Sequence, residues 1–464
     1  MNADQSAEKN KKMMNELLSE SSDFKTSTFV AGERCCYLFY LSTMVDPAVV
    51  QEHIIRPLLG LKQFTVREGI SILDYNETEL VSTALMALIE GKTVLQIDKE
   101  AKFYLLGTEL SKERSINIPM NERVLRGSNE ALIENLDTNI NLIRKIIATP
   151  ELAVRQYELG RKSKNKISML YMNSLANKDV VNGLDQKLKS IELDNVEALG
   201  FIQDLIQDGK FSWFPRILVT ERPDRIKSYL LDGKIAILID GSPDCLIVPV
   251  SFWAFFQSPD DYQVNWIIGS SFRLLRIVSF ILGICLPGAY VALVSFDPRI
   301  IPYELALTMQ STMAYIAIPP VFEAIFMLIT LEILREATIR LESFNSQTIG
   351  VVGGIVIGTI VVQANLISTM MVVIVAFTAI ASFIIPSYEM RSAARLLTYP
   401  FIILSAILGL IGLVLSFLLV LTHLARINTM GIPYFYSGIA GSKNNDTIFR
   451  GSANKRNHAR GSTE

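Results

Sequence analysis

The sequence predicts a two-part α/β cytosolic N-terminal domain followed by a polytopic α-helical membrane domain. The first 266 residues carry 31 basic and 37 acidic side chains, whereas the rest of the chain carries 13 and 9. Between Glu342 and Glu389, 46 consecutive residues are uncharged. Because a helix crosses a bilayer core with roughly 20 apolar residues, this run is long enough for two crossings joined by a short polar turn.

The charged part divides into a polar N-terminal tail, residues 1–25, and two α/β subdomains, residues 26–150 and 151–240. The tail has no apolar run that could serve as a signal peptide, so this part is expected in the cytosol. Apolar runs between turn residues predict strands, and helical periodicity predicts helices. The predicted strands are Cys35–Leu41, Thr93–Ile97, Phe103–Leu106, Val154–Leu159, Lys166–Met172 and Ile235–Ile239; the predicted helices are Pro47–Leu59, Thr78–Glu90, Glu130–Ala148, Asp179–Ser190 and Asn195–Gln207.

The sequence predicts neither a metal site nor a cofactor. The four cysteines show no Cys/His ligand spacing, and adjacent Cys35 and Cys36 in a strand would point to opposite faces. The three histidines are too scattered for a catalytic triad. Gly91-Lys92-Thr93 is similar to the end of a phosphate-binding loop, but it follows a predicted helix and lacks the first glycine of that motif. We therefore expect a protein that is not an enzyme.

The membrane domain, residues 241–430, is predicted to contain about five crossings. They are Ile277–Phe296, Pro320–Leu334, Ile349–Leu366, Thr369–Ile385 and the thirty residues between Arg395 and Arg426. Residues 305–322 are uncharged but rich in hydroxyl groups and end in a proline pair, which predicts an interfacial or re-entrant segment.

The sequence leaves two alternatives for the side of the membrane on which the C-terminal tail, residues 431–464, lies. Five crossings starting in the cytosol would leave the tail outside, although its five basic residues favour the inside. Either residues 305–322 also cross, or the basic tail is external.

Three glycines suggest that helices pack closely in the third crossing. Gly350, Gly354 and Gly358 recur at four-residue spacing, which leaves one helix face without side chains. Such a face lets a neighbouring helix approach where lipid provides no hydrophobic drive between helices. We expect this face to contact another helix.

Residues after the glycines are candidates for a pore or gate. Val362 and Asn365 continue the glycine face, because offsets of four and seven residues stay on one side of a helix, whereas Gln363 points elsewhere. The alternative for these polar positions at a helix end is an ordinary surface location.

The acidic residues in and just after the second crossing are of two kinds. Glu332 and Glu336 have Arg335 and Arg340 three and four residues away, which predicts a self-neutralised helix end. Glu323 has no such neighbour. A carboxylate at membrane depth costs a few kcal/mol, so Glu323 either lines an aqueous path or lies at the interface.

Several motifs between about residues 126 and 435 together resemble one known family. They include Thr220-Glu221-Arg222-Pro223-Asp224, Asp240-Gly241-Ser242-Pro243, Gln257-Ser258-Pro259-Asp260-Asp261-Tyr262, Arg273-Leu274-Leu275-Arg276, Pro319-Pro320, Glu332-Ile333-Leu334-Arg335-Glu336-Ala337 and Gln347-Thr348-Ile349-Gly350. With these motifs the chain resembles the A subunit of bacterial spore germinant receptors, the GerA family. One departure is Thr359, where the family commonly has a glutamine after Gly358.

The resemblance implies a multi-pass subunit in the inner membrane of the dormant spore, in contact with membrane lipid and with no nucleic-acid partner. It implies a transporter-like B subunit that senses nutrient and a lipoprotein C subunit as partners. It also implies a homo-oligomer whose opening releases cations. An accessory germination channel without its own sensor and a secondary transporter are the alternatives, and transporters usually show internal inverted repeats, which this sequence does not display.

Overall fold

The chain forms two compact units in a computed structural model. The structure describes residues 2–59, 66–110, 126–194, 199–207, 212–316, 318–340, 353–356 and 358–435, with isolated positions at 119, 122, 124, 209 and 449. The first unit contains Met1–Asp208, Ile217–Val250 and Thr429–Ile432. The second contains Gly209–Arg216, Ser251–Asn428 and Pro433–Glu464.

The first unit is built from two five-stranded sheets of identical topology. Strands β1 to β5 are Phe24–Ala31, Arg34–Leu41, Tyr75–Thr78, Thr93–Ile97 and Phe103–Leu106, and strands β6 to β10 are Leu152–Leu159, Asn165–Met172, Leu218–Thr220, Ile235–Ile239 and Cys245–Val248. The spatial orders are β1-β2-β4-β5-β3 and β6-β7-β9-β10-β8. All the neighbouring strands are antiparallel. The unit therefore contains a structural repeat.

Helices pack on both sheets. They are α1 (Ala7–Leu17), α2 (Pro47–Val50), α3 (Arg56–Leu59), α4 (Val66–Gly69), α5 (Val81–Ile89), α6 (Leu136–Ile146), α7 (Lys178–Lys189), α8 (Leu199–Ile206) and α9 (Pro223–Leu231), with a π-helical segment, Gln51–Ile55, between α2 and α3. Asp46 caps α2 ahead of the proline in its first turn, and Asn135 and Asn177 cap α6 and α7. Cys35 is exposed and Cys36 is buried, which confirms their predicted opposite directions.

Two predicted boundaries differ from the structure. Residues 1–25, predicted as a polar tail, contain α1, whose Met14 is buried with Leu18 in the core. The helix is polar in composition and only one narrow face is apolar, so a search for apolar periodicity does not detect it. The boundary at residue 240 falls inside the second sheet, because Cys245–Val248 pairs with β8 and β9.

A buried ion pair connects the two repeats of the first unit. Arg144 on α6 donates from Nε to Oδ2 of Asp23 at 2.7 Å and from Nη2 to Oδ1 at 2.8 Å. Ser21 and Thr43 donate their hydroxyl groups to the same carboxylate at 2.8 and 3.0 Å. Burial alone would raise the pKa of Asp23, but Arg144 and these hydrogen bonds outweigh burial and hold that pKa below its ordinary value.

The second unit is helical. Its helices are α10 (Asp260–Gln263), α11 (Trp266–Ser295), α12 (Tyr303–Met313), α13 (Pro320–Arg340), α14 (Gly353–Gln363, position 357 not being described), α15 (Thr369–Phe383) and α16 (Tyr388–Arg426). Among the described residues, α11 and α16 are long and apolar enough to cross a membrane. Large apolar side chains are exposed on several helices, for example Ile333 at 64%, Phe377 at 61% and Ile411 at 75%. Such surfaces are typical of contact with lipid or protein.

Helix α16 folds back on itself at Gly409. The backbone of Gly409 has φ 63° and ψ −141°, which joins two helical arms across a sharp break. Leu404 before the break and Ser416 after it line one cavity together with Phe401 and Leu419, so the arms lie side by side. The sequence predicted a single crossing between Arg395 and Arg426; the structure contains a helical hairpin there.

Candidate functional site

The turn between α14 and α15 ends the glycine-bearing helix in a Schellman motif. Asn365 has φ 53°, in the left-handed region that helix C-termini favour. The N–H of Asn365 donates to the carbonyl of Val362 at 3.0 Å, and the N–H of Leu366 donates to that of Val361 at 3.1 Å. Asparagine tolerates this conformation better than most residues, so Asn365 has a structural role as the helix stop.

Two faces of α14 have different surroundings. A Cβ on Gly353 would lie 3.0 Å from Cδ2 of Leu334, so this face packs against α13 within the chain. A Cβ on Gly354 or Gly358 would meet no heavy atom of the described residues outside α14 within 4 Å. Gly350, the third predicted packing glycine, lies outside the described residues. The Gly354 and Gly358 face is therefore not covered by the described part of its own chain.

The predicted pore candidates lie at the end of this open face. Val362 is half-buried, and Gln363 and Asn365 are exposed. The neighbouring Val361 is buried in the core of the helical unit together with Met327 and Ile367. Val361 is offset by seven residues from Gly354 and by three from Gly358, so the glycine face turns into the core at its end. Val362, offset by four residues from Gly358, lies about 100° further around the helix and is only half-buried.

Glu323 is fully buried next to the same turn. Its Oε2 accepts the backbone N–H of Ser368 at 3.0 Å, and Oε1 has no hydrogen-bond partner among the described residues. Ser368 caps α15 by accepting the N–H of Met371 at 3.1 Å, and its hydroxyl group lies 2.9 Å from that of Tyr290. The three helices α11, α13 and α15 therefore meet through polar groups at one end of the unit.

At the other end of α13, both predicted ion pairs are confirmed. Arg335 binds Glu332 at 2.9 Å, and Arg340 binds Glu336 at 2.6 Å. The sequence did not indicate that Arg395 of α16 also binds Glu332, at 3.0 Å. Helix periodicity could not predict this contact, because Arg395 lies more than sixty residues after Glu332 in the chain.

A further buried ion cluster lies at the start of α11, and sequence reasoning recognised its residues only as motifs. Asp261 is fully buried and binds Arg273 at 3.0 Å and Arg276 at 2.8 Å. Arg276 also donates to the carbonyl of Phe256 at 3.0 Å. The cluster ties the short helix α10 to the first turns of α11. Within the described residues, no group of three or more His, Cys, Asp or Glu side chains could hold a metal ion.

The two sheets, the apolar helices and their exposed apolar surface define a membrane protein with a folded N-terminal region. The family model for the Bacillus/Clostridium GerA spore germination protein matches residues 12–461. The chain therefore belongs to the GerA family.

Individual relatives agree with this assignment. Spore germination protein A1 of Bacillus subtilis is 38% identical over 92% of this chain and 90% of that protein. Spore germination protein B1 of the same organism is 35% identical over 97% and 95%. The uncharacterized membrane protein YfkQ, also of B. subtilis, is 32% identical over 93% and 85%.

A solved structure is also similar. The N-terminal domain of the A subunit of the Bacillus megaterium spore germinant receptor GerK3 aligns with a TM-score of 0.41 and 24% identity. The alignment covers 54% of this chain and 98% of that domain.

Proposed function

We propose that this chain is the membrane subunit of a nutrient germinant receptor that triggers spore germination. In this proposal several copies form a cation channel in the inner membrane of the spore. A transporter-like B subunit senses the nutrient and gates the channel, and a lipoprotein C subunit completes the receptor. The observation that carries the channel is the uncovered face of α14, where Gly354 and Gly358 have no neighbour among the described residues and Val362 ends the face.

The path of the chain supports a multi-pass topology with both ends in the cytosol. We count α11, α13, α14, α15 and the two arms of α16 as crossings and α12 as the interfacial segment. Six crossings return the chain to the side from which it entered, because the number is even. In agreement, the backbone N–H of Tyr434 donates to the carbonyl of Ile427, just after α16. The carbonyl of Tyr434 accepts the N–H of Phe252, which lies shortly before α11.

This topology removes the conflict in the charge pattern. The C-terminal tail then begins at the end of the helical unit where α11 begins, and its basic residues lie in the cytosol, as the distribution of Lys and Arg favours. Neither a crossing by residues 305–322 nor an external basic tail is then required.

Replacing Gly354 with Leu is expected to reduce assembly. A bulky side chain on the open face would separate helices that approach closely only where side chains are absent. Its matched control is Ile355→Leu, because Ile355 is already a large side chain and is 62% exposed. Crosslinking in spore membranes should yield less oligomer for Gly354→Leu than for wild type and for the control. Equal oligomer yields in all three would mean that this face contacts lipid.

The channel itself is tested by the volume of Val362. An apolar constriction can block ions by dewetting, and Val362→Ala would widen such a constriction once in every copy. We expect Val362→Ala to release cations from spores without nutrient, at least about tenfold faster than wild type. The measurement is the resting loss of potassium, with the variant present at normal abundance.

A second substitution separates the pore from the helix stop. Asn365→Gly preserves the left-handed conformation of the Schellman motif but removes the amide group. If Asn365 acts only as the helix stop, this variant should germinate normally, whereas a change in ion selectivity would assign its amide to the pore. Resting leakage that is unchanged in Val362→Ala would exclude Val362 from the constriction.

A further inference from the structure

A basic cavity lies where the ends of α13 and α15 meet the start of α16. Its volume is about 420 Å³, which is within the usual range for small-molecule sites, about 300 to 1,000 Å³. Arg335, Arg391 and Arg395 line it, and the described lining residues include no carboxylate. The remaining walls are mostly apolar and include Leu334 and Phe383.

The cations of this cavity are only partly neutralised. Arg335 and Arg395 share one oxygen of a single carboxylate, Glu332, at 2.9 and 3.0 Å. Arg391 donates to the backbone carbonyl of Ile385 at 2.9 Å. Three guanidinium groups and the carboxylate of Glu332 carry a net charge of +2. Glu389, near the start of α16, accepts a hydrogen bond from Ser387 and also interacts electrostatically with Arg391, so a net charge of +1 remains.

Two guanidinium N–H groups in this cluster also lack an acceptor. Nε of Arg335 and Nη1 of Arg395 are buried and have no hydrogen-bond partner among the described residues. The two side chains are only 13% and 17% exposed. A buried donor of a charged group without an acceptor is costly, so this cluster favours an additional acceptor.

The chemistry of the cavity selects a phosphate group attached to an apolar chain. Guanidinium groups match phosphate oxygens in geometry and charge, and Leu334, Ile339 and Phe383 provide apolar wall beside them. Basic cavities between membrane helices on the cytoplasmic side are typical sites for anionic lipid headgroups. We propose that Arg335, Arg391 and Arg395 bind the phosphodiester headgroup of an anionic membrane lipid and that the bound lipid holds α13, α15 and α16 together.

The test uses the full-length chain in nanodiscs of phosphatidylcholine, alone or mixed with phosphatidylglycerol. Phosphatidylglycerol should raise the unfolding temperature of the wild-type chain and remain bound to it in native mass spectrometry. The double variant Arg335→Gln with Arg391→Gln should bind this lipid about thirtyfold more weakly, because each of the two basic residues contributes roughly 1 kcal/mol near an anionic surface.

Arg340→Gln is the matched control. It removes one charge from the helix that carries Arg335, but Arg340 is 75% exposed and pairs with Glu336 outside the cavity. The proposal requires lipid binding to fall in the double variant and to remain at the wild-type level in Arg340→Gln. An equal loss in both would mean general attraction to a charged surface and would overturn it.

Two further measurements test whether the variants are folded and whether the ligand is a lipid or a soluble phosphate. Arg335→Lys keeps the charge and should retain part of the binding, which shows that a loss in the glutamine variants is not misfolding. Inorganic phosphate added to phosphatidylcholine nanodiscs should have no effect on the unfolding temperature. Stabilisation by phosphate alone, equal to that by phosphatidylglycerol, would assign the cavity to a soluble phosphate and overturn the lipid.

Discussion

Arg144→Met should destabilise the first unit by about 3 to 5 kcal/mol. That is the usual cost when one partner of a buried ion pair is removed and the other charge is left behind. Asp23 is fully buried and Arg144 is 1% exposed, so water cannot replace the lost guanidinium. We expect urea unfolding of a fragment of residues 1–250 to show the loss as a lower midpoint.

The same substitution at an exposed ion pair provides the control. Arg161 binds Glu192 at 2.8 Å, but the two side chains are 69% and 77% exposed. Exposed pairs contribute about 0 to 1 kcal/mol, so Arg161→Met should change the midpoint only slightly. Similar effects of Arg144→Met and Arg161→Met would show that the buried pair adds little to the stability of the unit.

The difference between wild type and Arg144→Met should depend on pH. Because the pKa of Asp23 is held below its ordinary value, the ion pair stabilises the wild-type fold above the unfolded pKa of about 3.9. This contribution is lost as the pH falls through the folded pKa. In the variant, burial without Arg144 should raise the pKa of Asp23, so protonation relieves the buried charge. The stability difference should therefore narrow in acid, and a constant difference between pH 7 and pH 4 would contradict this account.

Elements with strong local signals were predicted well from the sequence. Thr93–Ile97, Phe103–Leu106 and Ile235–Ile239 are strands with the predicted bounds. These strands are fully or mostly buried on both faces. Their sequences are therefore short apolar runs between turn residues, which is a clear strand signal. The buried strand β10 was not predicted, although it is as long as the predicted strand Phe103–Leu106.

Long-range contacts could not be predicted in this way. Asp23 and Arg144 are 121 residues apart, and no local pattern connects them. Asn365 shows a different difficulty, because its place on the glycine face suggested a pore role while its backbone conformation gives it a role in ending α14. A polar residue at a helix end is compatible with both, and only the dihedral angles reveal the second.

The hairpin in α16 is the largest feature that hydropathy conceals. The thirty residues 396–425 contain no Asp, Glu, Lys or Arg, and this apolar run continues through the reversal at Gly409 without a polar interruption. A continuous helix of 39 residues would be nearly 60 Å long, about twice the hydrocarbon thickness of a bilayer. Length therefore argued against one straight crossing, and the glycine at position 409 was the local signal for the break.

Gly409→Val is expected to abolish this reversal. A side chain at φ 63° is strained, and its Cβ would lie 3.1 Å from the ring of Phe296. Backbone strain costs about 1 to 3 kcal/mol and overpacking a similar amount, which together shift the equilibrium away from the folded hairpin at least about tenfold. The measurement is a green fluorescent protein fused after the C-terminus, which should fluoresce strongly in the wild type because our topology places it in the cytosol.

Ile411→Val is the control for this variant, because Ile411 lies two residues away and is 75% exposed. It should leave fluorescence unchanged, since no packed side chain is lost. Gly409→Val should lower fluorescence several-fold, either because the tail crosses to the other side or because the misfolded chain is degraded. The topology would be wrong if the wild-type chain fused to green fluorescent protein did not fluoresce while the same chain fused to an externally active phosphatase was active. That result would place the tail outside and would require an odd number of crossings. Wild-type fluorescence in Gly409→Val would mean that the arms hold the hairpin without glycine at this position.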